Sequence, residues 1–180
     1  MIAFSRICLS VFVGLLYCAT WNGQAPAQND AAKLLSSKGE LRAALIASNP
    51  VLVTRGADGQ LGGVSVELAR ALAAKLGIPV RSMPYENPAR YNESLGRDEW
   101  DIGLAARDPS RAEHLVFSDV FMEVDNGYGR FNLVQMSIAV PKNNALALSI
   151  VNEFVRDAKR DGLIAQAIVR AGLRGVRAAP

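Results

Sequence analysis

The chain has 180 residues, half of them hydrophobic and 21% charged, and its 20 basic and 17 acidic side chains give a formal net charge of +3. That length allows one ordinary domain with a real core, and so small a basic excess argues against a nucleic-acid surface. A single histidine, two cysteines and no acidic cluster at metal-ligand spacing leave nothing to hold a metal, and no cofactor is expected.

Residues 1–27 read as a cleavable secretory leader. Arg6 supplies the basic start, Ile7 to Thr20 is apolar but too short to span a bilayer, and Ala25-Pro26-Ala27 is a cleavage site. A lipoprotein reading would need a small residue before Cys18, and Tyr17 is bulky. Both Cys8 and Cys18 leave with the leader, so export without disulfides points to a bacterial periplasm. No later stretch could cross a membrane. Residues 28–39, rich in Ala, Ser, Asn and Asp, suit a tether leading into a short helix, and the domain proper is expected over 40–180.

Glu40 to Ala47 gives a first strand, with Leu41, Ala43, Leu45 and Ala47 alternating against Arg42 and Ala44, and Asn49-Pro50 ends it. Val51 to Thr54 continues extended, and Ala57-Asp58-Gly59 turns the chain. After Gly62-Gly63, Val64, Leu68, Leu72 and Leu76 recur at helical spacing until Gly77 and Pro79. Val80 to Tyr85 is a strand and Pro88 to Leu95 a short helix. Asp101 to Ala106 is a strand covered on both faces, and Leu115 to Met122 a further extended run. Glu123 to Arg130 has the composition of a turn or exposed crossing, Leu133 to Val140 is a strand ended by Pro141, and two helices follow, the second over Leu163 to Ala171. The order predicts an α/β domain of three layers, with a mainly parallel central sheet and helices on both faces. The basic residues of the C-terminal segment interleave with acids, as on a solvated helix face.

Chemistry-bearing groups are few. His114 has no Ser or Cys nucleophile in motif context, and the glycines Gly56, Gly59, Gly62 and Gly63 match neither phosphate-binding pattern. Arg111 is the residue to explain. It lies in the polar segment Arg107-Asp108-Pro109-Ser110-Arg111 after a buried strand, the place where open α/β sheets hold anionic ligands. Its planar guanidinium can take a carboxylate through two parallel hydrogen bonds, whereas a surface pair with Asp108 or Glu113 would be the plain alternative.

The pieces E-L-R-A-A-L-I-A-S-N-P, A-D-G-Q-L-G-G, V-S-V-E-L-A-R-A-L-A-A-K-L-G-I-P-V, E-W-D-I-G-L-A-A-R-D-P-S-R-A-E and V-F-S-D-V-F-M, in this order, resemble lobe one of the bacterial family 3 extracellular solute-binding proteins, the polar amino-acid receptors of ABC importers. The stretch from Gly129 to Gln135, I-A-V-P-K-N-N and the closing helices resemble the family's return into that lobe. The second lobe is missing near residues 126–129. The resemblance implies a periplasmic protein binding a small carboxylate or polar amino acid weakly, with Arg111, Asp108, Arg55, Asn49 and Ala106 around the ligand. Ala105, Ala106 and Arg107 stand where relatives usually carry hydroxyls. An ABC permease or a sensor is the implied partner, and a second copy of the chain could supply the missing wall. The alternative is a single-lobe interaction or sensory module that has lost transport. An enzyme comes third: some dehydratases resemble this family, but His114 alone makes a poor acid.

Overall fold

A computed structural model describes residues 26–36, 38–125 and 133–180, with side chains from Asp30 onward. The leader, apart from Pro26 and Ala27, and the point near 126–129 where a second lobe would enter lie outside these residues.

Strand β1 (Leu41–Ile46) is buried along its whole length and sits inside the sheet. Leu41, Ala43 and Leu45 face the larger core, while Ala44 and Ile46 face a smaller one on the other side. β1 pairs in parallel with β4 (Val80–Tyr85) on one side and β5 (Ile102–Ala106) on the other. β5 then meets β7 (Leu133–Pro141), β7 meets β6 (Leu115–Asp125), and β6 meets β8 (Val176–Ala178), all antiparallel. The order is β4-β1-β5-β7-β6-β8. By these pairings β4, β1, β5 and β6 run one way and β7 and β8 the other, so the sheet is mainly parallel by strand direction.

Four helices cover one face. The large core gathers residues of α1 (Pro26–Leu35), α2 (Val64–Leu76), α4 (Leu148–Arg160) and α5 (Leu163–Arg170). The other face is thin. It carries α3 (Pro88–Glu93), whose Tyr91 packs with Trp100, Ala105, Leu115 and Ala139. The expected three-layer α/β domain is therefore what forms, with its layers unequal.

α2 begins after Gly63, whose φ of +93° and closeness to the Leu52 carbonyl, 2.8 Å from a notional Cβ, admit only glycine. It ends at Gly77 in the left-handed conformation, whose N–H returns to the Ala73 and Ala74 carbonyls.

Several local expectations are corrected. Residues 28–39 do not form a tether: most of the segment belongs to α1, whose Ala32 and Leu35 enter the core, and Asn144 Nδ2 donates to the Leu34 carbonyl at 2.9 Å. Apolar side chains three apart, packed into the core beside α2 and the turn before α4, outweigh a composition suited to loops. The extended run expected at Val51 to Thr54 is mostly a turn, and only Thr54–Arg55 (β2) pairs, with Leu61–Gly62 (β3). β6 continues to Asp125, through the start of the turn expected at Glu123, because β7 pairs with it as far as Asp125 opposite Leu133. The short strand β8 carries no periodic signal in the sequence and was not expected.

Arg42, which the alternation of β1 placed on a polar face, is buried. Its Nη2 lies 2.7 Å from Asp101 Oδ1, and both side chains are under a tenth exposed. Its guanidinium pKa is raised, first by the hydrogen bond to Asp101.

Candidate functional site

Because β1 and β5 are parallel neighbours, their carboxyl ends open on the same edge of the sheet. The turn after β1 and the polar segment after β5 therefore stand side by side. In the first, the Asn49 side-chain oxygen accepts from the Val51 N–H at 3.1 Å, and the Asn49 carbonyl accepts from Leu52 and Val53. The short β2–β3 hairpin follows, where Arg55 Nη1 donates to the Gly59 carbonyl at 2.9 Å.

After β5 the chain must return to the amino end of the parallel strand β6, so it crosses the thin face. Asp108 opens that crossing by accepting from both the N–H and the hydroxyl of Ser110, at 2.9 and 2.8 Å. These bonds, foremost the one from the hydroxyl, hold the Asp108 carboxyl below its ordinary pKa, and the charge of Arg111 contributes last. A single turn of 3-10 helix, Pro109–Arg111, then places Arg111 over α3.

Arg111 is 6% exposed. Its Nε donates to Asn92 Oδ1 at 2.9 Å, its Nη1 donates to the Ala106 carbonyl at 3.0 Å, and its guanidinium carbon lies 5.1 Å from the Tyr91 ring centroid. Tyr91 in turn stacks on Trp100 at 5.6 Å and meets Tyr85 edge-on at 5.9 Å. Burial pushes the Tyr91 phenol far above its usual pKa, so it stays protonated. No carboxylate among the described residues pairs with Arg111 within 4.0 Å.

The partners are thus a neutral amide, a backbone carbonyl and an aromatic face. Nη2 has no hydrogen-bond partner among the described residues. The arrangement is a nearly buried cation held by neutral groups, with Nη2 left without a hydrogen bond among the described residues, which suits pairing with a small anion.

Of the residues singled out from the sequence, the structure brings Arg111 and Ala106 into direct contact. It places Asp108 three residues earlier with its carboxylate turned to Ser110, and it engages Asn49 and Arg55 within their own turns. His114 is exposed and its carbonyl accepts from the Lys142 N–H. Sequence reasoning missed Tyr91 and Asn92. The available signal was the cap Asn87-Pro88, which fixes where α3 starts and hence which side chains it turns to the sheet. Among the described residues no group of three His, Cys, Asp or Glu is placed to hold a metal ion, and no helix is long and apolar enough to cross a membrane.

Comparison with known proteins agrees with this architecture. The structure is similar to that of a point mutant of the arginine-bound form of domain 1 from TmArgBP, at 25% identity and a TM-score of 0.61, covering 72% of this chain and 98% of that one. It is also similar to the substrate-binding protein AbpA of an amino-acid ABC transporter from Streptococcus pneumoniae, bound to L-arginine (14% identity, TM-score 0.62, 77% and 97% covered). A third similar structure is an ancestral cyclohexadienyl dehydratase (15% identity, TM-score 0.63, 79% and 96% covered). A search of curated proteins finds no significant match. The family description for bacterial extracellular solute-binding proteins, family 3, matches residues 41–170, most of the chain, and the chain belongs to that family.

Proposed function

We propose that this protein is a single-lobe periplasmic receptor for a small carboxylate such as a polar amino acid, serving an amino-acid-type ABC importer. One observation carries the reading: Arg111 is held at the carboxyl edge of β5 by neutral partners, with no carboxylate among the described residues in ion-pair contact, so a ligand carboxylate would complete it. Leaving a cation nearly buried without a counter-ion is costly, and an anionic ligand offsets that cost only when bound. The similarity to an arginine-bound isolated domain 1 supports a lobe acting alone. With one wall the site buries less of its ligand than a closing two-lobed receptor, so binding is weak. Membership of a solute-binding family supports a binder rather than an enzyme, and a dehydratase assay on a prephenate-like acid is expected to show no turnover.

Calorimetric titration with L-arginine, other amino acids and small acids tests the proposal. Heats are expected from the native protein and none from Arg111→Ala, with Arg111→Lys, which keeps charge but loses the fork, in between. Equal heats from native protein and Arg111→Ala would remove Arg111 from the site.

A second reading, an interaction or sensory module that has lost transport, is favoured by the low exposure of Arg111. Under it, none of these solutes would give heat although the protein is folded.

A further inference from the structure

The proposed function needs Arg111 to be fixed without a paired carboxylate, and besides the Ala106 carbonyl one short helix does the fixing. α3 has six residues, and two consecutive ones, Tyr91 and Asn92, hold the guanidinium from separate sides: the ring under its plane, the amide oxygen on Nε. Asn92 is 19 positions from Arg111 in sequence and is itself exposed, so its bond is a tertiary link between α3 and the crossing after β5. The nearby acids are hydrogen-bonded elsewhere: Asp108, which feels the charge of Arg111, accepts from the N–H and hydroxyl of Ser110. Glu93, the next residue, has its carboxylate 2.8 Å from Arg90, and Glu99 accepts from the Tyr85 hydroxyl at 2.7 Å.

We infer that Asn92 is a positioning residue for ligand binding, and that its neutrality is the property that matters: it orients Arg111 through Nε without cancelling the charge that Nη2 presents to a ligand carboxylate. An aspartate would make the same hydrogen bond with nearly the same shape. It would also supply an internal counter-ion, and the site would satisfy itself. A merely structural Asn92 would tolerate that exchange. The inference rests on the carboxylate reading given above.

The experiment uses 15N-labelled protein and follows the Arg111 Nε–Hε resonance while sodium acetate, a bare carboxylate, and separately L-arginine are titrated in. In the native protein the resonance is expected to be protected from exchange and to move with both probes. Asn92→Asp is expected to keep the protection while its affinity for both falls about tenfold or more. Asn92→Ala is expected to lose the protection and to weaken binding less than the aspartate does. Asn92→Asp binding as tightly as the native protein overturns the inference alone, as does Asn92→Ala retaining full protection. A native protein whose protected Arg111 resonance ignores both probes overturns the proposed function, and the inference falls with it.

Discussion

At the scale of single residues, Gly103 and Tyr91 show how closely the thin face is packed. A Cβ on Gly103 would lie 2.1 Å from the Tyr91 hydroxyl oxygen and 3.1 Å from the ring carbon that bears it. That hydroxyl is fully buried and has no hydrogen-bond partner among the described residues. Two outcomes follow from one contact. Gly103→Ala is expected to destabilise the protein by about 2 kcal/mol through overpacking. Tyr91→Phe is expected to stabilise it by about 1 kcal/mol, because an unmatched buried hydroxyl is removed while the ring under Arg111 stays. The double variant should recover part of the alanine's cost, a coupling that a double-mutant cycle by urea unfolding measures. Additive effects would mean that the hydroxyl is not what the methyl meets. Gly103 was read simply as part of an apolar strand, since nothing local in I-G-L-A-A announces a tyrosine arriving from another element.

At the scale of elements, the pairing of α2 with α4 makes the charge pattern consequential. Lys75 Nζ lies 2.7 Å from Asp157 Oδ2 and 3.0 Å from Glu153 Oε1. The Lys75 hydrogen bond is the foremost cause holding the Asp157 carboxyl below its ordinary pKa, and the bond to Asp157 is likewise first in raising the Lys75 ammonium. A depressed carboxyl stabilises the fold above its unfolded-state value and loses that contribution as pH falls through the folded value; a raised ammonium stabilises below its unfolded-state value and loses that contribution as pH rises through the folded one. Lys75→Met is therefore expected to lower the thermal midpoint slightly at pH 7 and hardly at all at pH 2.5. An equal loss at both would show that packing of the lysine stem, not its charge, is what matters. α1 offers a larger test. Leu35 is fully buried although its segment reads as a tether, and Leu35→Ala is expected to cost about 2–4 kcal/mol in chemical unfolding. A negligible loss would restore the tether.

For the whole molecule, the decisive fact is that the sheet closes without a second lobe. β6 and β7 pair up to Asp125 opposite Leu133, so only residues 126–132 join them, far too few for a domain. The large exposed apolar side chains among the described residues are Leu34 on α1, Leu146 in the 3-10 turn before α4, and Val169 on α5. Protein beginning at Gln28 is expected to unfold in one cooperative transition, with calorimetric and van't Hoff enthalpies equal. A second transition would mean that the thin face, held by α3, melts separately from the helical side.

Much of the local structure is written in neighbouring residues: the periodicity of 64–76, the mostly apolar run at 41–46, the unbroken one at 102–106, and the stops at Pro50, Gly77 and Pro141. From the order of these pieces a strand-helix-strand architecture and the family's first lobe were legible, and so was Arg111 as the cation at a strand's carboxyl end. Only the tertiary structure decided what that cation touches. Asn92 and Tyr91 reach it from an element 19 or more positions away, beside the nearby Ala106 carbonyl, just as Asp101 reaches Arg42, and α1 docks although its composition suits a loop. The reason is physical: hydrophobic period and turn chemistry act within a few residues, whereas burial of a charge is settled by whichever groups the closed sheet brings against it.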